Sequence, residues 1–181
     1  MAQTRAWLIR FFSAYQSPYH EEQEFVPRFL TLLQDITCFE RTHLPGHITG
    51  SAWIVNPERN AVLLVHHAKL NRWLQPGGHA DGEEDVLNVA LREAEEETGI
   101  QQFRVLSEIP FDVDVHPIPE RKDFPAHDHY DVRFLLEAER ADNIIVSEES
   151  HDVRWIALNK LEHYTNEQSV LRMKEKLLRA D

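Results

Sequence analysis

Cysteine is nearly absent: Cys38 is the one thiol in a chain of 181 residues. That excludes an intrachain disulfide framework and a multi-cysteine zinc site, and it suits a reducing compartment. Glycine and proline are sparse, at 6 and 9 residues, which excludes collagen-like and low-complexity architectures. Basic residues are too few to offset the acids, with 19 Lys and Arg against 31 Asp and Glu and a formal net charge of −12. Long nucleic acids and anionic membranes are recognised through basic patches, so neither is an expected partner. Long apolar runs are also missing. The strongest, Ala61 to Val65, falls far short of the roughly 20 residues that cross a bilayer. Arg10 interrupts the stretch after Ala6 to Ile9 where a secretory signal would need a continuous apolar core. The expectation is a soluble, cytoplasmic protein. Its 42% apolar and 28% charged residues suffice for one ordinary globular domain with an extension.

Trp7, Leu8, Phe11, Phe12 and Tyr15 recur at helical spacing, and Val26, Phe29, Leu30, Leu33 and Ile36 follow beyond Ser17-Pro18. This predicts a helical extension over residues 1–44. Pro27 is placed in the first turn of its second helix, where a missing N–H costs little. Aromatic faces of that size do not stay wet, so the pair packs on the rest of the chain or against a second copy in a homodimer. Residues 45–181 form the main domain. Strands are expected over His47 to Asn56 and Ala61 to His67, joined by turn chemistry, and again over Phe103 to Val115, Tyr130 to Ala138 and Val153 to Leu158. A helix from about Glu83 to Thr98 stops at Gly99, and a helical tail carries Val170, Met173 and Leu177 on one side. The fold class is α+β, a mixed sheet with a central helix behind a helical N-terminus.

The central helix carries the chemistry. With about 100° per residue, an apolar stripe of Leu87, Ala90, Leu91 and Ala94 leaves Glu93, Glu96 and Glu97 together on the other side. Like charges at this spacing cost a few tenths of a kcal/mol per pair, roughly. Either the face is simply solvated, or a hard cation such as Mg²⁺ or Mn²⁺ sits among the oxygens. The flanking residues bear on the choice: Gly78, five residues, Glu84, seven residues, then Arg92-Glu93-Ala94-Glu95-Glu96-Glu97-Thr98-Gly99-Ile100. This run resembles the Nudix hydrolase box, GX5EX7REUXEEXGU with U a bulky aliphatic residue. Every fixed position matches, and Ala94 is smaller than usual at its U position. Together with the strand pattern, the resemblance covers roughly residues 47–158 and leaves 1–44 outside.

The resemblance implies the Nudix α/β/α sandwich and Mg²⁺-dependent hydrolysis (or Mn²⁺-dependent) of a nucleoside diphosphate linked to another moiety, with water attacking phosphorus. It implies Glu96 and Glu97 as the principal metal ligands, Glu93 as a further ligand or the base acting on water, and Gly78 as a carbonyl donor. Arg92 then orients Glu93, and Glu84 lies at the edge of the metal shell. Nudix enzymes often complete the metal site with a carboxylate from a late loop, for which Glu148 and Glu149 are the positional candidates.

Other features divide between structural and functional readings. Trp73 and Leu74 pack beneath the glycine loop or touch a base, and His79 either reaches phosphate or is an exposed loop residue. Alternation puts His127, His129, Asp131 and Arg133 on one strand face. A two-histidine-plus-carboxylate metal site is conceivable there, and polar lining of the substrate cleft is the favoured reading. Arg121, Lys122 and Arg133 are candidates for phosphate contacts. Two functional alternatives stand beside a hydrolase: a catalytically silent Nudix ligand-binding or regulatory module, which the intact box disfavours, and an isopentenyl diphosphate isomerase-like enzyme, disfavoured because Cys38 lies well before the corresponding loop. Residues 81–97 hold eight acids and one base, so much of the net charge sits in this segment.

Overall fold

In a computed structural model, which describes residues 4–121, 124–139, 144–148 and 150–180, the chain runs α1 (Arg5–Ala14), α2 (His20–Leu32), β1 (Gly46–Val55), β2 (Ala61–His67), β3 (Arg72–Leu74), β4 (Gly77–His79), α3 (Val86–Thr98), β5 (Arg104–Val105), β6 (Asp112–Ile118), β7 (His127–Glu137), β8 (Ser150–Ala157), a 3₁₀ turn (Leu158–His163) and α4 (Gln168–Ala180). All eight strands join one mixed sheet whose backbone order is β3-β2-β1-β7-β5. β1 is its organiser. One end pairs antiparallel with β2, Ile54 opposite Leu63, and the other with β4, Gly50 opposite Gly78. Along its full length β1 lies parallel to β7, from Gly46 opposite Asp128 to Val55 opposite Glu137. β1 is buried throughout: its second half, Ala52 to Val55, is apolar, whereas its first half buries His47, Thr49 and Ser51 as well as Ile48.

Alternation along β1 and β7 assigns the two faces. On one, Ile48, Val132 and Phe134 meet Val86, Val89 and Ala90 of α3 and Leu8, Phe12, Phe29 and Leu33 from the N-terminal segment. On the other, Trp53, Val55, Val62 and Leu64 meet Val170, Met173 and Leu177 of α4. The expected tail stripe is therefore the face that α4 buries. The N-terminal aromatics are spent within the chain: the Phe12 and Phe29 rings stack at 4.2 Å, and Phe29 meets Tyr130 edge-on at 5.3 Å.

Three local expectations change. Pro27 lies well inside α2, and the helix ends at Leu32, leaving Ile36 75% exposed. Packing of Phe29 and Leu32 offsets the backbone bond that Pro27 forgoes. The strand expected from Phe103 to Val115 is two strands, and β6 runs on through Pro117. β6 pairs with β7 alone, so the missing N–H of an edge proline breaks no ladder. The central helix begins at Val86, following Asp85 as its N-cap, later than expected. Among the described residues no helix is long and apolar enough to cross a membrane.

Candidate active site

The box is a strand, a loop and a helix folded against one another. β4 contributes Gly78 and His79, and α3 contributes Arg92, Glu93, Glu96 and Glu97. The helix stops at Gly99, which takes a left-handed conformation with φ 73° and donates its N–H to the Glu95 carbonyl at 2.8 Å. Gly78 is required for a different reason: a Cβ there would overlap the Glu93 carboxylate. The glycine lets the helix set this carboxylate directly on the β4 backbone.

Arg92 locks the arrangement. Its guanidinium donates to Glu93 Oε1 at 2.6 Å and to the His79 carbonyl at 2.9 Å, and lies 3.7 Å from Glu96. Burial raises the Glu93 pKa; Arg92 opposes that, the neighbouring Glu96 charge adds to it, and the net shift is upward. A carboxylate more basic than usual, fixed in orientation, can accept a proton or bind a cation.

The structure redraws the helical face. The buried positions of α3 are Val86, Val89, Ala90, Ala94, Glu97 and Thr98, whereas Leu87 and Leu91 are only half-buried. At about 100° per residue this arc is centred near Glu97, not opposite it. Glu97 is buried, Glu93 is largely covered, and the Glu96 side chain is 60% exposed. Glu93 and Glu97 thus lie within the covered arc of α3, with Glu96 on its exposed flank. Sequence periodicity misplaced the stripe because leucines outweigh small alanines in such a reading.

The remaining candidates scatter. Glu84 accepts the backbone N–H of Arg5 at 3.0 Å and so anchors the start of α1 on the box loop. Arg121 is exposed in a bridge with Phe124. Arg133 is 2% exposed and held by Asp131 at 2.7 Å and by Asp112 and Asp114 at 3.1 Å each, so it has no surface from which to meet phosphate. Glu148 is exposed in a turn, whereas Lys122 and Glu149 lie outside the described residues. Trp73 stacks on His66 at 4.9 Å and meets Tyr164 edge-on. Cys38 is buried, which pushes its thiol up to about 12 and removes it as a nucleophile. His129 and His79 face each other and His47 across β1 and β7, with ring centroids about 5 Å apart (5.0–5.2 Å).

One polar network escaped the sequence reading. Asp112, Asp114, Glu22, Arg172 and Lys176 join Arg133 beneath α4. Its signal was present in the alternation Asp112, Asp114, His116 facing His129, Asp131, Arg133 on the paired strand.

The model of the NUDIX domain matches residues 46–177, and the chain belongs to that family of hydrolases. It is 28% identical over 119 residues to a probable DHNTP pyrophosphohydrolase from Lactococcus lactis subsp. cremoris, covering 66% of this chain and 72% of that protein. It is 30% identical over 100 residues to the asymmetrical bis(5'-nucleosyl)-tetraphosphatase of Rattus norvegicus, covering 55% and 65% respectively. A C. elegans Ap4A hydrolase structure superposes with a TM-score of 0.59 at 19% identity over 73% of this chain and 95% of that one, which shows a common fold.

Proposed function

We propose that the protein is a Mg²⁺- or Mn²⁺-dependent cytoplasmic pyrophosphohydrolase that cleaves a phosphoric anhydride bond in a small nucleotide-like diphosphate. The observation that carries this reading is the Glu93 carboxylate seated on Gly78 and clamped by an arginine that also grips the His79 carbonyl. The donor set suits a hard divalent ion, since Glu93, Glu96, Glu97 and the Gly78 carbonyl offer oxygen alone. When bound, such an ion offsets phosphate charge and acidifies a water molecule.

The chain's own groups supply the rest. Glu93, raised in pKa by burial and by Glu96, accepts the proton of the attacking water. Arg92 keeps that carboxylate from turning away. Glu96 and Glu97 would hold the cation, and Gly78 leaves the space that the Glu93 carboxylate fills. The named relatives act on dihydroneopterin triphosphate or dinucleoside tetraphosphate, and both kinds of compound belong in the substrate panel. Nucleoside triphosphates, nucleotide sugars and CDP-alcohols complete it.

Product release with and without Mg²⁺ across this panel tests the reading. Glu97→Gln is expected to abolish metal-dependent turnover while the circular dichroism spectrum stays unchanged. Near-wild-type turnover of that variant at saturating Mg²⁺ would sink the assignment.

A further inference from the structure

On the sheet face away from α3, at the starts of β1 and β7, histidines gather without carboxylates between them. His47, His127 and His129 each bring a ligand atom within 4.8 Å of the others, the one such group of three or more among the described residues. The box glutamates do not converge in this way. The ring centroids of the trio lie 4.9, 5.0 and 5.2 Å apart.

Their hydrogen bonds select which nitrogens face inward. His127 Nδ1 lies 2.9 Å from the Pro125 carbonyl and His47 Nδ1 lies 3.3 Å from the His43 carbonyl. A carbonyl accepts only, so each Nδ1 carries the proton and each Nε2 presents a lone pair. Metal-bound histidines are held in this way, the second nitrogen donating to a carbonyl or carboxylate. His47 Nε2 is fully buried and has no hydrogen-bond partner among the described residues. His127 Nε2 and His129 Nε2 are 3.3 Å apart. Two zinc–nitrogen bonds of about 2.0–2.1 Å meeting at a tetrahedral angle place their nitrogens about 3.3 Å apart. A histidine–histidine hydrogen bond would also explain that spacing, but it leaves the buried His47 Nε2 unsatisfied.

We propose that His47, His127 and His129 form a second metal site, one for a borderline transition cation of the Zn²⁺ type. Imidazole nitrogen favours Zn²⁺, Ni²⁺ or Cu²⁺, whereas the carboxylate box suits Mg²⁺ and Mn²⁺, so the two sites differ in donor chemistry. The imidazoles are ready in their ligand form: burial, joined by neighbouring histidines, lowers the pKa of His47 to about 4 and that of His129 to about 2. The site stands next to the box through β1, where His47 pairs with His129 and Thr49 with His79. It does not depend on which substrate the box turns over.

The full chain without a polyhistidine tag, stripped of metal, is titrated with Zn²⁺ and with Co²⁺ in millimolar Mg²⁺, with bound metal counted by elemental analysis and the Co²⁺ site read by its visible absorption. One tightly held ion per chain is expected, with the strong bands of a low-coordinate nitrogen site. It should persist in Glu96→Gln/Glu97→Gln. His127→Gln, at a half-buried position, should weaken binding beyond the about 10–100-fold that loss of an outer partner costs. His129→Gln should do the same. No stoichiometric binding by the wild-type chain would overturn the proposal, and that result needs no variant to fold. So would an ion lost with the box glutamines and kept in the histidine variants.

Discussion

Asp112 has no exposed surface, yet it stays charged. Burial alone would raise its pKa, but the Arg172 hydrogen bond and the charges of Arg133, Arg172 and Lys176 outweigh that and hold it below the ordinary value of 3.8. The same contest, won by Arg133, His116 and Arg172, depresses Asp114 as well. Both carboxyls bind a proton more weakly in the folded chain than in the unfolded one. Their stabilisation is therefore complete above the unfolded pKa near 3.8 and is lost as pH falls through the lower folded values. Arg172, which bonds Asp112 at 2.8 and 2.9 Å, is the residue to remove. Arg172→Met is expected to cost about 3–5 kcal/mol in urea denaturation at neutral pH, because it leaves buried carboxylates undercompensated. The same variant should unfold at a higher pH than wild type in an acid titration followed by circular dichroism. At Gly78 the expected effect is on chemistry and not on stability. Gly78→Ala pushes a methyl group into the Glu93 carboxylate, so turnover should collapse while the melting temperature moves little. The box was legible because its residues lie within one short linear pattern. The acid–base network was not, because Arg172 meets Asp112 across 60 positions and Glu22 meets Val113 across 91.

At the scale of elements, α1 and α2 are as much core as cover. Leu8, Phe12, Phe29 and Leu33 are fully or almost fully buried on Ile48, Val132 and Phe134, strands that belong to the family domain. Phe12→Ala should therefore cost about 3–5 kcal/mol, as large core truncations do, measured by chemical denaturation. Removing residues 1–44 should yield an aggregating domain and not a stable smaller particle, which light scattering would distinguish. Helical spacing showed that these segments are amphipathic; it could not show whether their partner is the same chain. Nor could it set the rotation of α3. The buried arc is defined by Val86, Val89 and Ala90 against Gly50 and the sheet, a contact between segments that pattern reading treats separately. β6 illustrates the opposite limit: the expected strand ended at Val115, and only the knowledge that the strand is an edge permits Pro117 within it.

Across the whole molecule, charge and topology meet in one region. Eight of the acids fall between residues 81 and 97, and one of them, Glu93, is set against Gly78 of β4. A divalent ion that binds this folded arrangement, and not the unfolded chain, must stabilise the protein. At a concentration about a hundredfold above its dissociation constant the gain is about 2.7 kcal/mol. Mg²⁺ should thus raise the melting temperature of the wild-type chain, and Glu96→Gln/Glu97→Gln should remove that increase. Scanning calorimetry gives both results directly.

The ion pair between Glu22 and Lys176 also bears on biosynthesis. Glu22 is fully buried, with Tyr15 donating to it at 3.1 Å and Lys176 supplying its cation from the last helix. A ribosome makes the carboxylate early and its counter-ion 154 residues later. While translation proceeds, docking of the first two helices onto the nascent sheet would bury a carboxylate held only by the neutral donors Tyr15, Ser17 and the Val113 N–H. Closure of this layer is therefore expected to be complete only once α4 has left the exit tunnel, and chains stalled before that point should present their N-terminal aromatics to chaperones.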